Sequence, residues 1–202
     1  MSILYKNNHK IFFCHIPRTG GRFVTQRFLD NGYRVDNSIG ANTVIEGTSE
    51  MHFHAKLYCK YHKLDNIKKF TVVRDPIERF RSGILYLFDF LWIKKIKKDN
   101  LKEESKFFDI INQIIESHPN NWFRPQHEFV SDELNVWKYE NGLGEDFFSW
   151  LNEILIEPIE YSGETFYPSH ECDSVTKIEL SNEIIENIRK FYKKDFELFG
   201  YL

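Results

Sequence analysis

Residues 10–29 read K-I-F-F-C-H-I-P-R-T-G-G-R-F-V-T-Q-R-F-L, and this stretch decides the fold. Its apolar run, Ile11-Phe12-Phe13-Cys14, has the length and composition of a buried strand of a parallel sheet. Pro17 and the pair Gly20-Gly21 break that run. Phe23, Val24, Phe28 and Leu29 then recur at the spacing of a helix packed on a sheet. A strand, a glycine-bearing turn and a helix N-terminus form an anion site, because unpaired backbone N–H groups and the helix dipole converge there. Arg18 and Arg22 flank that point with fixed positive charge. The expected occupant is a phosphate or a sulfate.

Working outward, Asp30-Asn31-Gly32 supplies a glycine for a left-handed C-cap. Residues 33–35 read as a short strand and 36–49, rich in Asn, Ser, Thr and Gly, as a loop. In Glu50-Met51-His52-Phe53-His54-Ala55 two histidines lie two apart, a spacing that puts both imidazoles on one face of an extended segment. After a short helix over 55–64, Phe70-Thr71-Val72-Val73 is a second buried strand. It stops at Arg74-Asp75-Pro76, where Pro76 suits the first turn of a helix and Asp75 its cap. Ile77, Phe80, Ile84, Leu85 and Phe88 continue that helix.

Further on, residues 99–106 read as a charged surface excursion, and 107–117 and 147–156 as helices. Asn141-Gly142 marks a turn, and Ser181 caps a final helix over 182–196. The expected architecture is one α/β domain over residues 1–202, with three layers and a central parallel sheet flanked by helices. Its ligand should sit at the C-terminal edge of the strands.

Composition narrows the function. Hydrophobic content of 42% and aromatic content of 16% belong to a folded globular chain, and a net charge of −3 argues against a general nucleic-acid binder. Three widely spaced cysteines, Cys14, Cys59 and Cys172, suggest neither a disulfide framework nor a zinc site. No apolar run approaches the roughly 20 residues of a membrane span, and the N-terminal residues lack a signal-like apolar core. A cytoplasmic location is expected.

Three groups carry the chemistry: residues 17–22, the pair His52/His54, and Arg74-Asp75-Pro76 with Ser82. The first fits neither the Walker G-x-x-x-x-G-K-[ST] nor the dinucleotide G-x-G-x-x-G pattern, which counts against an ordinary ATPase or GTPase. His52 and His54 lack an evident third ligand, so a metal site is not expected.

These residues resemble the sulfotransferases that use 3′-phosphoadenosine 5′-phosphosulfate (PAPS), in the carbohydrate branch that includes heparan sulfate 2-O-sulfotransferase and the bacterial and viral sulfotransferase family 2 proteins. His15-Ile16-Pro17-Arg18-Thr19-Gly20-Gly21-Arg22-Phe23 is similar to the branch motif H-I-P-K-T-G-G-[TS]-[ST]. Val72-Val73-Arg74-Asp75-Pro76-Ile77-Glu78-Arg79-Phe80-Arg81-Ser82 is similar to V-x-R-D-P-[IV]-E-R-x-x-S. His52-Phe53-His54 resembles the His-x-His element of the 2-O branch, and residues 192–201 resemble the family's ending.

The resemblance implies that Pro17, Arg18, Thr19, Gly20, Gly21 and Arg22 wrap the 5′-phosphosulfate, while Arg74 and Ser82 bind the 3′-phosphate. It implies His54 as general base toward an acceptor hydroxyl, with Glu50 as the rival carboxylate and His52 orienting the base or touching the acceptor. The product would be 3′-phosphoadenosine 5′-phosphate, no metal would be needed, and the acceptor would be a small molecule or glycan. Pro125-Gln126 resembles an element near the acceptor, Ser169-His170 would belong to a loop over the donor, and residues 86–92 would be core or an acceptor wall. Two departures stand out. Arg18 replaces the usual lysine and cannot lend a proton at neutral pH. Arg22 and Phe23 replace small hydroxyl residues. A catalytically degenerate nucleotide-binding module and another P-loop-derived nucleotide-handling enzyme are the rival readings.

Overall fold

The computed structural model describes residues 2–36, 44–45, 48–49, 52–61, 63–90, 98–117, 121–131, 133–161, 163 and 179–201, with backbone alone at 44, 48–49 and 87–90. The strands are β1 (Ser2–Lys6), β2 (His9–Cys14), β3 (Arg34–Asp36), β4 (Val44–Ile45), β5 (Thr48–Ser49), β6 (Lys68–Val73) and β7 (Asn135–Lys138). The helices are α1 (Gly21–Asp30), α2 (Ala55–Tyr61), α3 (Pro76–Phe90), α4 (Glu104–Ser117), α5 (Glu145–Ile154), α6 (Asn182–Phe191) and α7 (Lys193–Phe199). Short 3-10 turns cover Lys98–Leu101, Gln126–Glu128 and Tyr139–Asn141.

Five strands form one sheet in the order β3-β1-β2-β6-β7. The pairs β2–β6 and β6–β7 are parallel, but β1 runs antiparallel to both β2 and β3. The expected all-parallel sheet is therefore mixed. The reason is local: Asn7 takes φ +52° and closes a tight hairpin that folds β1 back on β2 before any crossover.

Alternation along the buried strands splits the core between the two faces of the sheet. Ile11, Phe13, Phe70 and Val72 pack with α1 and α5 through Phe23, Val24, Phe28, Phe147 and Leu151. Phe12, Cys14 and Val73 pack on the other face with α2 and α7 through Leu57, Tyr58 and Phe199. A third cluster, Phe80, Ile84, Phe107, Ile111, Ile188 and Phe196, joins α3, α4, α6 and α7.

Several end signals hold. Gly32 takes φ +80°, with Gly32 N–H bonded to Leu29 O and Tyr33 N–H to Phe28 O, both at 3.0 Å, in a Schellman pattern. Ser181 accepts from Ile184 N–H. Other boundaries move. The strand expected over 33–35 is Arg34–Asp36, the helix over 55–64 stops at Tyr61, and the loop over 36–49 contains the β4–β5 ladder. The excursion over 99–106 buries Leu101 and starts α4 at Glu104. The final helix breaks at Tyr192, whose side chain turns inward and donates to Phe123 O at 2.7 Å. Asn141-Gly142 is a turn as expected, the end of a 3-10 turn with Gly142 at φ +80°.

Candidate donor-binding site

β2 and β6 are neighbouring parallel strands with Cys14 opposite Thr71, so the turns that follow them emerge side by side. The two motifs of the sequence therefore meet at the C-terminal edge of the sheet.

The first turn is built around its own backbone. Thr19 is fully buried and spends its hydroxyl on Ile16 O at 2.8 Å, so its side chain fastens the turn instead of facing a ligand. Gly20 is the N-cap of α1 at φ +83°, and a Cβ there would stand 2.6 Å from Leu143. Gly21 lies against the His15 ring, which occupies the place a Cβ would need. No side chain caps α1 and its first turn carries no acidic residue, which leaves its leading N–H groups and dipole available to an anion. Arg22 is exposed on that first turn.

Arg18 adopts φ +70°, a left-handed conformation that costs a non-glycine residue about 1 kcal/mol. Its Nε and Nη2 donate to Ser82 Oγ at 3.1 and 2.9 Å, and its guanidinium stands 4.6 Å from the Tyr86 ring centroid. Tyr86 in turn meets Trp122 edge-on at 4.4 Å. Ser82, read in the sequence as a partner of Arg74, is thus joined to Arg18.

The second turn differs. Asp75 Oδ1 accepts from Ile77 N–H at 2.9 Å and Glu78 N–H at 3.0 Å, the expected cap of α3. Arg74 Nη1 donates to Arg18 O at 3.4 Å, while its guanidinium faces Tyr139 at 4.7 Å. Tyr139 also lies within van der Waals reach of Gly20. Tyr139 did not stand out in the sequence as a site residue, since the contact spans the chain.

Arg79 was missed as well. It is 1% exposed, and its fork donates to Pro17 O at 3.3 Å, Trp122 O at 3.0 Å and Arg124 O at 2.5 Å. One guanidinium therefore ties the first turn to the segment before Gln126. Burial lowers its pKa, yet an arginine stays charged at neutral pH. The usable signal was its place in the second motif, Arg74-Asp75-Pro76-Ile77-Glu78-Arg79, one residue before the apolar Phe80 of α3.

The histidines do not share a strand. His52 sits in a 3-10 turn and His54 precedes α2, its carbonyl accepting from Tyr58 N–H at 2.9 Å. A link to the first turn runs through His52: its ring lies 5.4 Å from His15, and its carbonyl accepts from Asn121 Nδ2 at 2.9 Å. Burial first, then the His52 neighbour, hold the His15 pKa well below its ordinary 6.5, so His15 is neutral. Glu50, Ser169, His170 and residues 91–92 lie outside the described residues. Among the described residues no group of three or more metal-ligating side chains gathers, and no helix is long and apolar enough to cross a membrane.

A helix N-terminus without a side-chain cap and the cations Arg18, Arg22 and Arg74 thus gather at one edge of the sheet of an α/β domain. A family model described as "Sulfotransferase family" matches residues 1–202. The chain belongs to the sulfotransferase family, whose shared chemistry is sulfuryl transfer. No curated protein and no solved structure matches it significantly.

Proposed function

We propose that the chain, in a P-loop-like fold, transfers a sulfuryl group from PAPS to a hydroxyl acceptor of the carbohydrate class. The observation that carries this reading is the meeting of the two motifs, with Arg74 donating to the Arg18 carbonyl and Arg18 to Ser82. The donor set suits a doubly phosphorylated, sulfated adenosine. Guanidiniums offer forked, permanently charged donors to phosphate oxygens, and the start of α1 offers backbone N–H groups.

In this reading Pro17, Arg18, Thr19, Gly20, Gly21 and Arg22 form the cradle for the 5′-phosphosulfate, Thr19 by fastening the turn. Arg74 and Ser82 hold the 3′-phosphate. When bound, PAPS supplies a sulfuryl group on a phosphate leaving group. Arg18 holds the charge that collects on that phosphate. The His54 imidazole takes the acceptor hydroxyl's proton, and His52 orients it. The ring contact between His52 and His15, itself against Gly21, favours a second assignment in which His52 is the base.

Calorimetry with 3′-phosphoadenosine 5′-phosphate tests the donor: saturable binding supports the reading, and no measurable affinity ends it. His54→Ala should keep nucleotide affinity and lose transfer from PAPS across an acceptor panel. Full activity in that variant moves the base to His52 or Glu50.

A further inference from the structure

We infer that the C-terminal segment around α7 sets the direction of Arg74 through two side-chain relays, with Gln126 and Glu140 as positioning residues. The inference rests on the reading of Arg74 as a ligand of the donor's 3′-phosphate.

Arg74 is the first residue past β6, where the ladder to β7 has ended at Val73 opposite Lys138. Its backbone groups must find partners elsewhere. Gln126 supplies both: Oε1 accepts from Arg74 N–H at 2.9 Å and Nε2 donates to Arg74 O at 2.8 Å. Two bonds from one planar amide to one residue fix that residue's orientation, and hence the direction in which its side chain leaves. Gln126 is fully buried, so water cannot take over either bond.

Gln126 is seated in turn by Asp195 on α7. The fully buried carboxylate accepts from Gln126 N–H at 2.7 Å and His127 N–H at 2.9 Å, and pairs with His127 Nδ1 at 2.7 Å. Such charge-assisted bonds are stronger than neutral ones. This assigns Gln126, which the sequence linked to the acceptor, to the donor side.

The next residue repeats the device with different atoms. Asp75 N–H donates to Glu140 Oε1 at 2.7 Å, and Glu140 Oε2 accepts from Tyr201 Oη at 2.9 Å. Burial and the adjacent Glu140 push the Tyr201 hydroxyl above its ordinary range, which keeps it a donor. Consecutive amides, 74 and 75, are each held by a side chain that residues 195–201 hold in place.

The test uses the full chain. Affinity for 3′-phosphoadenosine 5′-phosphate is measured for Gln126→Met and Tyr201→Phe, each also in an Arg74→Ala background. We expect Kd to rise about tenfold and about threefold in the native background, and less than about twofold where Arg74 is gone. Equal losses in both backgrounds, or unchanged Kd in the folded variants, overturn the inference. If Gln126→Met does not fold, Tyr201→Phe, which removes one half-exposed hydroxyl, decides alone. Hydrogen exchange of the Arg74 and Asp75 amides gives a second readout that needs no nucleotide. Faster exchange of Arg74 in Gln126→Met and of Asp75 in Tyr201→Phe is expected, and unchanged rates overturn the relays. A native chain that binds no nucleotide sinks the donor reading instead, leaving the exchange rates to judge the relays.

Discussion

The turns after β2 and β6 stand side by side, yet they are built on opposite plans. The first leaves the N-terminus of α1 without a side-chain cap, uses Thr19 internally and presents backbone N–H groups beside Arg18. The second satisfies the start of α3 with Asp75 and presents Arg74 as its cation. One turn can bind through its backbone, the other through a side chain. The contrast explains why the first needs glycines against its neighbours while the second carries a proline and a capping carboxylate.

The contrast can be broken turn by turn. Gly21→Ala should have the largest effect, because the added methyl meets the buried His15 ring. A loss of about 3 kcal/mol, or roughly 100-fold in nucleotide affinity by calorimetry, is expected. Arg74→Ala empties the second turn of its charge and should cost about 2 kcal/mol, roughly 30-fold in the same assay, with little change in melting temperature. Arg79→Gln unfastens the first turn from 122–124 by leaving backbone carbonyls unpaired, and should lower unfolding free energy in urea by about 2 kcal/mol.

A pH series separates the turns without mutation. The His15 pKa is depressed in the folded chain, so below pH 6.5 the unfolded chain takes up a proton that the folded chain refuses. Stability should therefore fall as pH drops from 6.5 toward the folded value, by at most about 1.4 kcal/mol per pH unit for this residue. His15→Gln should flatten that slope in urea titrations. The smallest effect belongs to Asp75→Ala, a lost cap worth about 1 kcal/mol of stability, with nucleotide affinity within about twofold of native.

What the sequence made legible was contiguous. β2, its turn and α1, then β6, its turn and α3, each show an apolar run, a Gly or Pro break and a helical period within 20 residues or so. β1 was harder because it does not lead into a Gly or Pro break followed by a helical period. β7 was harder because it has exposed Asn135 and Val136, so it lacks the apolar signature of a buried strand. The break at Tyr192 was hidden by periodicity, since Ile188, Tyr192 and Phe196 keep a four-residue spacing across it and all are buried. Of the site, the cations Arg18 and Arg74 could be named, but their partners could not. Arg18 finds Ser82 across 64 residues and Arg74 finds Gln126 across 52, distances over which no local pattern operates. The common face expected of His52 and His54 applies only to an extended segment, and here the chain leaves a 3-10 turn at His52 and enters α2 at Ala55.

The Gln126–Asp195 bond has a consequence for biosynthesis. Asp195 is translated 69 residues after Gln126, a delay on the order of seconds at ordinary elongation rates. During that interval a nascent chain already owns β2, β6 and the first turn, while the amide of Gln126 still waits for its acceptor. A chain that stops before Tyr192 has every strand of the sheet but lacks Asp195 and Tyr201, the two groups that seat Gln126 and Glu140.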